Sequence, residues 1–140
     1  MKDHLFFTST SLLFSPVVVL TLVIQLCAAP KPDIPMDKVF DVKWVHAHED
    51  GHEDVEAYRP DTYQFPPSRG RRGFKMLRDK TFINYEIAPT DGIVERKGRW
   101  EKENDHTFAV LFGENGSHRN FRLEFVSYKK NLLKLKIIQN

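Results

Sequence analysis

From Val39 onward the chain alternates. In "FDVKWVHAH", Phe40, Val42, Trp44, His46 and His48 share one side of an extended strand, and Asp41, Lys43, Val45 and Ala47 share the other. The same period of two runs through "TFINYEI", which places Ile83, Tyr85 and Ile87 together. Between Ile93 and Glu103 it sets Val94 and Trp100 against Glu95, Lys97 and Arg99. "HTFAVLF" gives Phe108, Val110 and Phe112, "NFRLEFVSY" gives Phe121, Leu123 and Phe125, and "NLLKLKII" gives Leu133, Leu135 and Ile137. Turn formers separate these runs: Arg78-Asp79-Lys80, Pro89-Thr90-Asp91-Gly92, Glu103-Asn104-Asp105, Gly113–Ser117 and Lys129-Lys130-Asn131. Past the N-terminal segment no ten-residue stretch carries a helical stripe. Consecutive strands joined by short turns form an antiparallel meander. With one apolar face per strand and about seven or eight strands, closure into a barrel removes the exposed edges. The pattern predicts an all-β fold: a small antiparallel up-and-down β-barrel over 39–138 (Val39–Ile138), preceded by a hydrophobic leader.

The leader is "LFFTSTSLLFSPVVVLTLVIQLCAA", Leu5–Ala29, interrupted by Pro16. Val17–Ala29 has the length of a signal-peptide core, and the whole stretch is long enough to span a bilayer. Residues 1–29 therefore read as a signal peptide or a signal anchor, and 30–38 as a stiff Pro-rich linker. Secretion is one expectation; attachment to a membrane through this segment, left uncleaved, is another; a start of the protein at Met36 is the third. The flanks leave the first two open. Met1-Lys2-Asp3-His4 is weakly positive, Pro30 follows Ala29, and Leu26 stands three residues before a cut after Ala28. The one cysteine, Cys27, lies in this leader, so the domain contains no disulfide and depends on burial.

Charged residues make up 29% of the chain and hydrophobic ones 41%, a globular composition. The net charge of +2 argues against a dedicated nucleic-acid binder, which carries a strong basic excess. The charges are segregated. Acids dominate from Glu49 to Asp61 and bases from Arg69 to Lys80, which predicts two solvated loops of opposite sign lying near each other.

Three stretches carry candidate chemistry. "WVHAHEDGHED" holds His46, His48 and His52 among Glu49, Asp50, Glu53 and Asp54. His46 and His48 project to one side of a strand, roughly 7 Å apart. With Glu53 or Glu49 they would form a two-His-one-carboxylate site for a divalent metal such as zinc, iron or copper. The His-x-His-x4-Glu spacing is also part of the first cupin motif, without its glycines or its second motif. The alternative is a strand that ends at the barrel mouth, where polar side chains meet water. "YRPDTYQFPPSRGRRGF", Tyr58–Phe74, gathers Arg69, Arg71 and Arg72 around glycine, an arrangement able to cradle an anion. It also reads as a loop capping the barrel with Tyr63 and Phe65. Its Arg-x-Arg-Arg run fits a processing site, but cleavage there would split the barrel. Asn115-Gly116-Ser117 is both a hairpin turn and a glycosylation sequon. No nucleophile elbow, phosphate loop, dinucleotide fingerprint or paired-cysteine motif is present.

"WVHAHED", "YRPDTYQFPPSRGRRGF" and "GRWEKE" together resemble small lipocalin-like β-barrel domains of unassigned function. The resemblance covers roughly Val39–Ile138. It implies that Trp44 closes one barrel end and that Gly98-Arg99-Trp100 marks a mid-barrel strand. It further implies an apolar ligand, and it brings no catalytic residues. The leading expectation is a non-enzymatic barrel without a cofactor. It would bind a small apolar or amphipathic molecule among the inward aromatics Trp44, Tyr85, Trp100, Phe108, Phe112, Phe121 and Phe125. The alternative is a metal-binding protein or metal-dependent enzyme using the His46/His48 cluster at the barrel mouth.

Overall fold

The computed structural model describes residues 33–113 and 119–139. The leader, residues 30–32 and the Asn115 sequon lie outside the described residues, and the rest of the expected linker, 33–38, packs against the barrel instead of standing free. Eight strands form one closed barrel: β1 (Lys43–His46), β2 (Glu56–Pro60), β3 (Gly73–Met76), β4 (Thr81–Ile87), β5 (Ile93–Lys102), β6 (Thr107–Leu111), β7 (Phe121–Lys129) and β8 (Leu132–Gln139). Every pairing is antiparallel, and β3 through β8 run up and down in chain order. The ring closes through β2 against β8 and β1 against both β2 and β3.

That last feature sets the course of one long connection. Because β1 is antiparallel to both neighbours, β2 and β3 run parallel to each other. Residues 61–72 must therefore return along the barrel, outside β1. They are almost all exposed, as an outer strap requires. This is the Pro- and Arg-rich stretch expected to be a loop capping the barrel. Its ends, from Tyr58 to Pro60 and at Gly73-Phe74, belong to β2 and β3 instead. Those strands have only five and four residues, too few for alternation to show.

The inner face follows the period of two. Trp44, Met76, Phe82, Phe108, Val110, Leu123, Phe125, Leu133 and Leu135 are all buried in one core. In β4 the sequence pointed to the wrong face. Phe82, 1% exposed, belongs to the core, with Asn84 and Glu86 behind it on the same side. Tyr85 lies on the opposite face, its ring 4.1 Å under the Lys43 ammonium. It is covered all the same, so both faces of β4 are partly buried and hydrophobicity alone does not choose between them. In β7 a bulge between Phe125 and Ser127 shifts the register. Tyr128 then stands opposite Leu133 and sets its ring edge-on against Trp44 at 6.2 Å.

One end of the barrel is plugged. Ile34, Val39 and the half-buried Met36 and Phe40 pack onto the core from a short 3₁₀ turn, Met36–Lys38. The Trp44 indole donates to Val39 O at 3.0 Å, and the Trp100 indole donates to Leu77 O at 2.8 Å. Both buried N–H groups are thereby satisfied. Phe40 stacks on Trp100 with centroids 5.2 Å apart. Arg78 ties the plug down from outside, donating to Asp37 at 3.1 Å and to Asp41 at 3.0 Å.

Candidate functional site

Among the described residues the other end stays open over a cavity of about 270 Å³. Its apolar wall is made by Phe74, Phe82, Phe112, Phe121, Leu123 and Ile137. Phe74 and Phe82 stack at 5.7 Å, and Phe112 and Phe121 meet the Phe82 ring edge-on at 6.3 and 5.9 Å. Gly98 makes room for this cluster: a methyl group there would come within 2.9 Å of the Phe112 ring and 2.6 Å of Leu111 O. The glycine of Gly98-Arg99-Trp100 thus shapes the cavity, while the tryptophan two residues on seals the opposite end.

The polar part of the wall comes from Arg72, Asn84, Glu86, Arg119 and Gln139. Glu86 accepts from Asn84 Nδ2 and from Arg96 Nε, both at 2.8 Å. Arg72 pairs with Glu56. Glu56 also accepts a 2.6 Å hydrogen bond from the hydroxyl of Tyr58, another wall residue. Burial, and then this bond to a carboxylate, push the Tyr58 phenol above its usual range. It acts as a neutral donor at ordinary pH.

Of the seven aromatics expected to meet a ligand, Phe112 and Phe121 line the cavity. Tyr85 borders it, but its ring lies on the other face of β4. Trp44, Trp100, Phe108 and Phe125 pack inside the plugged half; none of the four lines this cavity. The inward pattern marks all these positions alike, and only the plug decides which are sealed. Phe74, Phe82, Asn84, Glu86 and Arg119 escaped the sequence reading. Phe82 had a signal in the other face of "TFINYEI". Arg119 had none.

The acidic loop and the strap meet as their charges predict. β1 ends at His46, two residues earlier than expected, and residues 48–50 form a 3₁₀ turn. Ala47, 1% exposed, is buried there and donates its N–H to Ala57 O at 2.8 Å. Arg71 holds this turn to the strap. Its side chain is 8% exposed and forms a two-pronged pair with Glu49. The same guanidinium donates to His46 O and Pro66 O, each at 3.1 Å, and lies 4.8 Å over the Phe65 ring. The Arg71 hydrogen bonds hold the Glu49 carboxyl down at about 2. Asp50 pairs with Arg59, and Asp54 with Lys136. The three arginines read as one anion cradle therefore do not converge. Arg71 is filled by Glu49, Arg72 turns to Glu56 and the cavity, and Arg69 is exposed on the strap.

His46, His48 and Glu53 border one shallow depression together with Glu56 and Arg72. The two imidazole rings lie 6.2 Å apart. His48 Nδ1 is 3.1 Å from Arg71 Nη1, which sets a cation against the ring nitrogen whose lone pair a metal would take. Among the described residues no three His, Cys, Asp or Glu side chains gather as a ligand set. The early end of β1 is the physical reason. The expected His-His-Glu geometry needed an extended strand through His48, and Glu53 sits beyond the turn with a left-handed φ of 50°. Burial, and then the charge of Arg72, lower the pKa of His46. It is neutral near pH 7.

Fold and cavity together define the class: a small closed antiparallel β-barrel, plugged at one end and hollow at the other. No family model, curated protein or solved structure matches the chain, so the functional reading rests on the site itself.

Proposed function

We propose that this barrel is a non-enzymatic binding module that takes up a small, partly apolar molecule through its open end. The observation that carries the proposal is the aromatic cavity of about 270 Å³ beside the buried core cluster. Small-molecule sites are concave and mostly apolar, with a few fixed polar groups, and this wall has that make-up. The leader Leu5–Ala29 fits a module that works after export or at a membrane surface. Ile137→Trp tests it by filling the cavity from within. Thermal-shift and calorimetric screening of wild-type protein against small aromatic and amphipathic compounds should yield stabilising ligands. Ile137→Trp should remain folded and lose them. Ligands that bind the filled barrel as well as the open one would place binding elsewhere.

A further inference from the structure

Resting on that reading, we infer that the occupant is an anionic amphiphile: one or two fused rings carrying a carboxylate, with the rings among the phenylalanines and the head group at Arg119 and Arg72. The donors and acceptors of the cavity wall lead to this class. Its one carboxylate, Glu86, is taken up by Asn84 and Arg96. Arg72 directs one N–H to Glu56, and a guanidinium has five. Arg119 is exposed at the wall and makes no hydrogen bond or ion pair among the described residues. Among the described residues the wall therefore presents unfilled N–H groups on two permanent cations, and its charged acceptor is already paired. An anion satisfies these donors, and a fork-shaped guanidinium matches a carboxylate in particular. A cationic ligand would face two guanidinium groups instead. A neutral one would leave the donors to water.

Size narrows the class. A volume of about 270 Å³ holds roughly nine waters at ~30 Å³ each. That suits a bicyclic aromatic and excludes a long acyl chain or a tetrapyrrole from full burial. The stacked and edge-on phenylalanine faces complement flat rings.

The experiment uses three probes of one shape: naphthoate, naphthylmethanol and naphthylmethylammonium, titrated calorimetrically into the full-length protein. Naphthoate should bind roughly ten-fold or more tightly than the alcohol, since hydrogen bonds to charged groups exceed neutral ones by about that much. The ammonium compound should bind most weakly. Arg119→Glu, at an exposed position, should leave the melting temperature in place and erase the preference for naphthoate. Equal affinity for acid and alcohol, or a preference that survives Arg119→Glu, would overturn the anion assignment and leave the cavity as a site for neutral ligands. Failure of all three probes to bind at millimolar concentration would overturn the assignment and the binding role together.

Discussion

At one end of the barrel Trp44 and Trp100 lie under residues 34–40, each indole N–H held by a backbone carbonyl. At the other end Phe82, Phe112 and Phe121 form a cluster of similar density that borders open space. Both clusters are aromatic and face the barrel interior, Trp44 and Trp100 from β1 and β5, Phe82 and Phe121 from β4 and β7. They differ in what covers them. The plugged end has a segment of its own chain laid across it, and tryptophan gives that segment a polar anchor as well as an apolar surface. Phenylalanine has no such anchor. Around the open cluster the polar positions are wall residues, Asn84, Glu86, Arg72 and Arg119, which surround the space without filling it. In a barrel of this size the ends decide whether the interior is core or cavity.

The largest test of this contrast removes one aromatic from each end. Trp44→Ala should cost about 3–5 kcal/mol, because it opens an enclosed void and orphans the plug's carbonyl. Phe121→Ala should cost about 1–2 kcal/mol, since a half-buried ring beside an existing cavity loses mainly transfer free energy. Chemical denaturation of both variants compares the ends directly. Equal losses would mean that the open end is as tightly packed as the plugged one.

A second test concerns the strap, which links the two ends from outside. Arg71→Ala removes the contacts that join Glu49, His46 O and Pro66 O. It should lower the melting temperature more than Arg72→Ala, and trypsin should then cut the strap at Arg69 first. Trypsin resistance equal to wild type would show that Phe65 and Tyr63, in edge contact at 5.0 Å, hold the strap without the arginine.

The smallest effects are pH-dependent and belong to the open end. The folded pKa of His46 is lowered from 6.5, so the unfolded chain takes up the proton more readily. Stability should be full above about pH 6.5 and decline as the pH falls through the folded value. Glu49 has the same sign further down. Its contribution is complete above its ordinary 4.5 and disappears as the pH falls toward about 2. Melting curves against pH should show the first decline abolished by His46→Gln and the second by Arg71→Ala. His46→Ala combined with His48→Ala should cost about 1 kcal/mol or less at pH 8. A double variant as unstable as Trp44→Ala would make the histidines part of the core.

Much of the barrel was legible from alternation. β6, β7 and β8 fall where the period of two places them, because each has five or more residues and a contrast between its faces; in β5 only Trp100 is buried, and Val94, expected beside it, is exposed where the strand runs out past the core. The burial of Trp44 and the meeting of acidic and basic loops were legible too. The site was much less so. Phe112 and Phe121 were marked, along with four aromatics that turned out to be core, and Arg72 was grouped with two arginines that lie elsewhere.

What the sequence determined by itself is the fold class and most of its inner face, since periodicity is local and each strand carries its own signal. Tertiary structure decided the rest. It inserted β1 between β2 and β3, which made residues 61–72 an outer strap. It chose between the two half-buried faces of β4, a choice that depends on what covers Tyr85 from outside. It laid residues 34–40 over one end and left the other open, so that identical inward positions became core in one half and cavity wall in the other. None of these is local. Each depends on which distant segment lies against a given face, and a strand's own residues carry no record of that.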